Sequence, residues 1–297
     1  MRKEEIDLDG ESYYLYIESQ NNTNYSTNKY QTFEHPYIQY TDKAFVQTSN
    51  SSYSIYRKTT ICGYAQVKLF NLFDNISSTE QQPFGILILD KEFTDKKINN
   101  FLIQHIQEDY QSITQGIFVL ALNDTIDTRT NLFPIKEFQP SKKVCSNKKI
   151  SKVDRLNLDS DLHLKLFQNY AKYWLNNKKM AVSPYGLELY YTYLYSEFGL
   201  KDCIYYFPEL SAIAIAKQKN RTLHLYEVFS VTEVDLDIVI KSLSNIYTDS
   251  VTLGFSPRTE GYVYTEHKQA ELKLFASAHL VSLVENNKLM IPILSHI

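Results

Sequence analysis

One order of elements occurs twice in this chain, and it restricts the fold more than any other feature. Residues 84–89 (FGILIL) and 117–122 (IFVLAL) are short, continuous apolar runs. Between them lies a segment whose apolar residues recur every four positions, at Ile98, Leu102, Ile106 and Tyr110. Continuous apolar runs of this length suit strands covered on both faces. The four-residue recurrence is that of a helix with one buried face, and Thr94 stands where it can cap a helix predicted from Asp95 to about Gln111. A strand, a helix and a second strand in one sheet make a right-handed crossover between parallel strands. Just ahead, Tyr53–Arg57 and Ile61–Leu72 alternate on either side of Lys58-Thr59-Thr60 and read as a hairpin.

The second occurrence begins at Ala212–Ala216 (AIAIA). With Leu223–Val231 (LHLYEVFSV), across a turn at Lys219-Asn220, it forms another hairpin. Thr232 can cap a helix from Val234 to about Ile246, and Val251–Phe255 (VTLGF) reads as a buried strand. Two helices are predicted before this unit. One is capped by Ser160, with Leu162, Leu166, Tyr170, Tyr173 and Trp174 on one face; the other starts at Ser183-Pro184. The predicted fold class is therefore α/β, with α+β mixed sheets, as two similar units in tandem. A length of 297 residues suits two domains of about 100–150 residues each. Six Lys and Arg fall in residues 139–155 without apolar periodicity, which reads as a solvated linker. The expected division is 1–140, a basic linker at 141–158, and 159–297. Residues 11–52 are polar and read as loops and short elements.

Several function classes are excluded by what the chain lacks. Only 8 of its residues are glycine, and neither G-x-G-x-x-G nor G-x-x-x-x-G-K-[ST] occurs, so a glycine-rich nucleotide loop is ruled out. There is no G-x-S-x-G nucleophile elbow. A net charge of −3 argues against nucleic acid or an anionic membrane as a partner. Cys62, Cys145 and Cys203 are isolated thiols, and the seven histidines show no H-x-x-x-H pairing, so no metal is expected. No apolar run approaches 18 residues and Met1-Arg2-Lys3-Glu4-Glu5 is polar, so the expectation is a soluble cytoplasmic protein without membrane insertion.

Three segments carry a family resemblance: Leu223–Ser230 (LHLYEVFS), Val251–Pro257 (VTLGFSP) and Pro292–Ile297 (PILSHI). In this order and spacing they resemble the end of a group of bacterial proteins assigned to the GNAT N-acyltransferase family, over roughly residues 205–297. In the first half, Arg57–Gln66 (RKTTICGYAQ), Phe84-Gly85 and the helix from Asp95 are similar to the aminoacyltransferases that build peptidoglycan cross-bridges, which are tandem GNAT-like folds of comparable length.

The resemblance implies an acyltransferase that moves an acyl group from acetyl-CoA or another acyl-CoA, as co-substrate, to a small-molecule or protein amine. It implies that the donor lies where a sheet splays open at the start of a crossover helix. It also places Glu227 on the strand where such enzymes often carry the general base that deprotonates the substrate ammonium. The family's Q/R-x-x-G-x-G/A loop is missing from both units: the matching segments are Asp90–Lys96 and Ser230–Asp235, and neither has a glycine. The first has Lys91, Lys96 and Lys97 beside a helix start, so Thr94, Lys96 and Lys97 are the expected donor-binding residues; the second is acidic. The resemblance leaves two further readings open: a tRNA-dependent aminoacyltransferase of the cross-bridge type, and a non-catalytic GNAT-like binding module.

Overall fold

Two mixed sheets carry the chain in this computed structural model, which describes residues 1–19, 50–70, 84–126, 130–144, 151–171, 173, 176–180, 199–267 and 272–295. In chain order the first elements are β1 (Arg2–Leu8), β2 (Glu11–Ser19), β3 (Asn50–Arg57), β4 (Thr60–Phe70) and β5 (Phe84–Leu89). Next come α1 (Lys96–Tyr110), β6 (Ile117–Leu122), β7 (Phe133–Pro134), β8 (Phe138–Lys143) and β9 (Asp154–Arg155). The chain continues with α2 (Asp161–Ala171), β10 (Ile204–Phe207), β11 (Ala212–Lys219), β12 (Thr222–Ser230) and α3 (Leu236–Leu243). It closes with β13 (Ser250–Leu253), β14 (Val263–Glu266), β15 (Leu272–Ala276) and α4 (Ala278–Asn286). The helix expected from Ser183-Pro184 lies outside the described residues.

The first sheet has the strand order β1-β2-β3-β4-β5-β6-β15-β7 and the second β14-β8-β13-β12-β11-β10-β9. The repeat read from the sequence is present. In the first sheet β3, β4 and β5 are antiparallel and β5 is parallel to β6 across α1. In the second, β10, β11 and β12 are antiparallel and β12 is parallel to β13 across α3. The units are interlocked, because β15, late in the chain, enters the first sheet between β6 and β7.

Residues 141–158, read from sequence as a solvated linker, feed the second sheet on both sides of the undescribed 145–150. Ser141, Lys142 and Lys143 pair with β13, and Asp154 and Arg155 pair with β10. Leu156 and Leu158 join the core. Lys142 reaches this position because its ammonium pairs with Asp237 in the first turn of α3 and lies 4.8 Å from the Tyr262 ring centroid.

Each sheet is covered on both faces. On the first, α1 sets Ile98, Leu102, Ile103 and Ile106 against Ile55, Ala65, Val67 and Leu87, while α4 sets Leu280 and Val284 against Ile86, Phe118 and Leu120. On the second, α3 packs Leu236, Val239 and Ile240 over Leu223, Leu225 and Val251, while α2 packs Phe167 over Ile213, Ile215 and Phe229.

Three sequence expectations are corrected. Residues 11–19, part of the stretch read as loops and short elements, form one full strand of a hairpin with Arg2–Leu8. Asp9 and Gly10 both take positive φ (55° and 82°), as a tight two-residue turn needs, and Tyr13, Leu15 and Ile17 alternate inward behind it. The crossover helices are capped by Asp95 and Asp235, not by Thr94 and Thr232. The two caps have nearly the same backbone, φ −66° ψ 108° and φ −68° ψ 105°, which is a further mark of the repeat. The inward face of α2 is centred on Phe167 and Ala171, which are buried; of the expected face, Leu166 and Tyr170 pack partly buried against the same core, whereas Leu162 is 74% exposed.

Gly63 fixes how closely α1 approaches the sheet. A Cβ there would stand 2.5 Å from Ile98 Cγ2 and 3.3 Å from Leu102 Cδ1. Both residues are buried, and the β-branched Ile98 has little rotamer freedom in a helix. Gly63→Ala is expected to destabilise the protein by about 1–3 kcal/mol in urea unfolding; an unchanged midpoint would show that the helix can shift freely.

Candidate functional site

In the second unit the parallel ladder of β12 and β13 runs from Thr222–Ser250 to Leu225–Leu253, and Gly254 N–H adds one more bond to the Leu225 carbonyl at 2.8 Å. There the strands part. β12 continues to Ser230, whereas the chain after Leu253 leaves the sheet. A Cβ on Gly254 would sit 2.9 Å from the Tyr226 carbonyl oxygen and 2.6 Å from Ile293 Cγ2, so only glycine fits at the point of separation.

A bulge prepares the same point. Leu225 pairs with Ala216 but Glu227 pairs with Ile215, which leaves Tyr226 as the extra residue. Leu223 and Leu225 face α3. The bulge shifts the alternation so that Glu227 shares the face of its partner Ile215, toward α2.

The gap between the parted strands holds residues 176–180. Lys179 N–H donates to the Ser256 carbonyl (2.9 Å) and Arg258 N–H to the Asn177 carbonyl (3.2 Å), joining the segment to one wall. On the other wall, Asn176 Nδ2 donates to the carbonyls of Ser230 (2.7 Å) and Val231 (2.9 Å), and Asn177 Nδ2 to Ser230 Oγ (2.6 Å).

Lys178 reaches into the interior and pairs with Glu227, both side chains being fully buried. Its Nζ lies 5.3 Å from the Phe229 ring centroid and 5.7 Å from that of Phe255, one ring on each wall. Burial pushes the Lys178 amine below the usual lysine range, and the Glu227 carboxylate acts against that shift. Glu227 Oε1 also accepts from Val228 N–H at 2.8 Å. The residue expected as a general base is thus sealed away from solvent against an ammonium.

The start of α3 is occupied as well. Asp235 accepts from Asp237 N–H (2.8 Å), and Asn177 Oδ1 accepts from Val234 N–H (3.0 Å). In the first unit Thr94 and Lys96 are exposed. The Asp95 carboxylate, however, accepts from the N–H groups of Lys97 (2.9 Å) and Ile98 (3.4 Å). Lys97 Nζ donates to the Leu8 carbonyl at 2.6 Å and pairs with Asp9 at 2.9 Å, tying the first hairpin to α1. Thr94, Lys96 and Lys97 are therefore together at one helix start, while Glu227 stands on the other sheet. Among the described residues no group of three or more His, Cys, Asp or Glu converges as a metal site, and no helix is long and apolar enough to cross a membrane.

Sequence reasoning did not find Lys178 or Asn177, which lie in a polar run, Asn176–Lys179. The usable signal was Glu227 itself: a carboxylate followed directly by Val228 and Phe229 needs a cation nearby if the strand is buried there. The three resembling segments do meet in space. Ile293 N–H bonds the Gly254 carbonyl at 2.7 Å, and Leu294 is buried beside Phe229.

No protein-family model matches the sequence, and no curated protein does. Among solved structures the chain is similar to Eis1 from Mycobacterium abscessus, with a TM-score of 0.55 at 10% identity over 88% of this chain and 72% of that one. Weaker likenesses include a probable N-acyltransferase from Enterococcus faecalis (TM-score 0.45, 9% identity, 76% of this chain and 62% of that one). A GCN5-related N-acetyltransferase from Kribbella flavida is another (TM-score 0.42, 10% identity, 76% and 59%). At these identities the likeness is one of fold. The fold is GNAT-like, with two such units in one chain.

The buried pair gives a direct test. Glu227→Gln leaves the Lys178 charge buried without a counterion and is expected to cost about 3–5 kcal/mol. Lys178→Met combined with Glu227→Leu should recover most of that loss in denaturant unfolding. Additive losses from the two substitutions would show that the side chains do not act as a pair.

Proposed function

We propose that this protein is an N-acyltransferase that moves an acyl group from acyl-CoA to an amine, with the donor taken by the first unit at the start of α1. The support is the GNAT fold together with the asymmetry of the two units. The second crossover is closed by the chain itself, whereas the first leaves Lys91, Thr94 and Lys96 exposed beside a helix N-terminus. In the reaction the acceptor ammonium loses a proton, the amine attacks the thioester carbonyl carbon, the C–S bond breaks and CoA leaves as its thiol. The acceptor is a small-molecule or protein amine. On this reading Glu227 serves the second unit as the counterion of Lys178.

One observation favours a second reading, a non-catalytic GNAT-like module. The Asp95 carboxylate already occupies the N–H groups that would face a pyrophosphate, so an anion must displace another anion.

Titration with acetyl-CoA, longer acyl-CoAs and CoA separates the two. The enzyme reading expects a melting temperature that rises with ligand concentration, equivalent to about 2.7 kcal/mol at a hundred times Kd. Lys96→Glu should then weaken binding by about fivefold at low salt, in keeping with an exposed contact of about 1 kcal/mol. Absence of any shift with every CoA ester would leave the binding-module reading.

A further inference from the structure

The outermost strand of the first sheet, β1, is fastened to α1 at both of its ends, and the two fastenings differ in chemistry. At the turn, Lys97 Nζ holds the Leu8 carbonyl and the Asp9 carboxylate. At the Arg2 end, α1 presents His105 and Asp109 to Arg2 and Glu4. His105 Nε2 lies 3.9 Å from Glu4 Oε2 and 3.7 Å from Asp109 Oδ2. It is buried and has no hydrogen-bond partner among the described residues. Arg2 pairs with Glu4 and stands 4.0 Å from Asp109 Oδ1.

The imidazole is held in this position. It stacks on Phe101, with ring centroids 5.6 Å apart, and meets the Tyr53 ring edge-on at 6.2 Å. Tyr53 is buried and donates to Asp109 Oδ2 at 3.0 Å; burial pushes its phenol far above the usual tyrosine range, so it remains a donor. Tyr110 is buried beside it. β2 and β4 add only apolar residues to this face, Leu15 and Ile17 from the one and Ala65 and Val67 from the other, and Glu108 is exposed. With the imidazole neutral, two carboxylates therefore share one cation, Arg2. With it protonated, both ring nitrogens are donors, and Nε2–H stands between one carboxylate on β1 and one on α1. The three side chains are 16%, 25% and 28% exposed, so solvent screens them less than an open surface pair.

We propose that His105 is a proton-operated latch: protonated, it fastens the Arg2 end of β1 to α1, and neutral, it lets that end open. The folded arrangement favours the charged ring, so the tie is present below the imidazole range and is lost as pH rises through it. Opening β1 bares the backbone edge of β2. The Lys97 fastening at the turn contains no imidazole, so it keeps its hold throughout.

Hydrogen exchange on the full chain tests this, with each rate corrected for the intrinsic effect of pH. Between about pH 8 and about pH 5.5, imidazole is the side chain that ordinarily changes charge. On lowering the pH across this window, the protected amides among residues 2–5 and 14–17 should gain about fivefold in protection, the size of one partly screened charge pair. Those of Leu8 and Glu11, at the turn, should change by less than about twofold. His105→Gln should abolish the gain at the Arg2 end. No gain in wild type overturns the proposal. So does a gain of equal size along the whole hairpin, or one that persists in His105→Gln. If that variant does not fold, Glu4→Gln takes its place, with the His105 ring followed by NMR against pH. Loss of one carboxylate should lower the midpoint of the ring titration, and an unchanged midpoint overturns the proposal.

Discussion

Glu227 and Lys178 are both removed from water, and neither can be there without the other. An isolated carboxylate or ammonium in an apolar interior costs several kcal/mol even after relaxation, so the pair has to form in register. That requirement reaches outward through the second unit. The bulge at Tyr226 turns Glu227 toward the α2 face, Gly254 lets the strands separate, and Asn176–Met180 enters from a distant part of the chain to deliver the ammonium. Phe229 and Phe255 close over the charge from either side. The tail then seals the arrangement, with Ile293 against Gly254 and Leu294 in the core.

The repeat itself follows from simpler rules. An apolar strand, a helix with one apolar face and a second apolar strand can pack in one handedness only. Both crossovers join parallel neighbouring strands, and both start from an aspartate cap of nearly the same backbone geometry. The units differ in what surrounds that shared core. The first is extended by the β1–β2 hairpin and completed by β15, while the second is extended by β8 and β14. These long-range additions make the two sheets depend on residues far apart in the chain.

Local patterning made the crossovers legible: FGILIL, IFVLAL and the four-residue recurrence in α1 each name their element. It also predicted the hairpin turns at Lys58 and Asn220, both of which take positive φ. What it could not supply was pairing set by distant contacts. Lys142 looks like a linker lysine until Asp237 and Tyr262 are brought beside it. Lys178 looks like a surface lysine next to Lys179, and nothing within a few residues says that one is fully buried and the other exposed. The Asp95 cap shows a finer limit, because Thr94 and Asp95 are both good caps and adjacent candidates cannot be told apart by residue type.

The central claim is that Lys178 is locked inside the second unit against Glu227, and its neighbour provides the control. Mild amine acylation of the native protein, read residue by residue by mass spectrometry, should modify exposed Lys179 and Lys96 early and leave Lys178 untouched until the protein is denatured. Modification of Lys178 in the native protein at the rate of Lys179 would contradict the account, since the segment would then lie outside the gap.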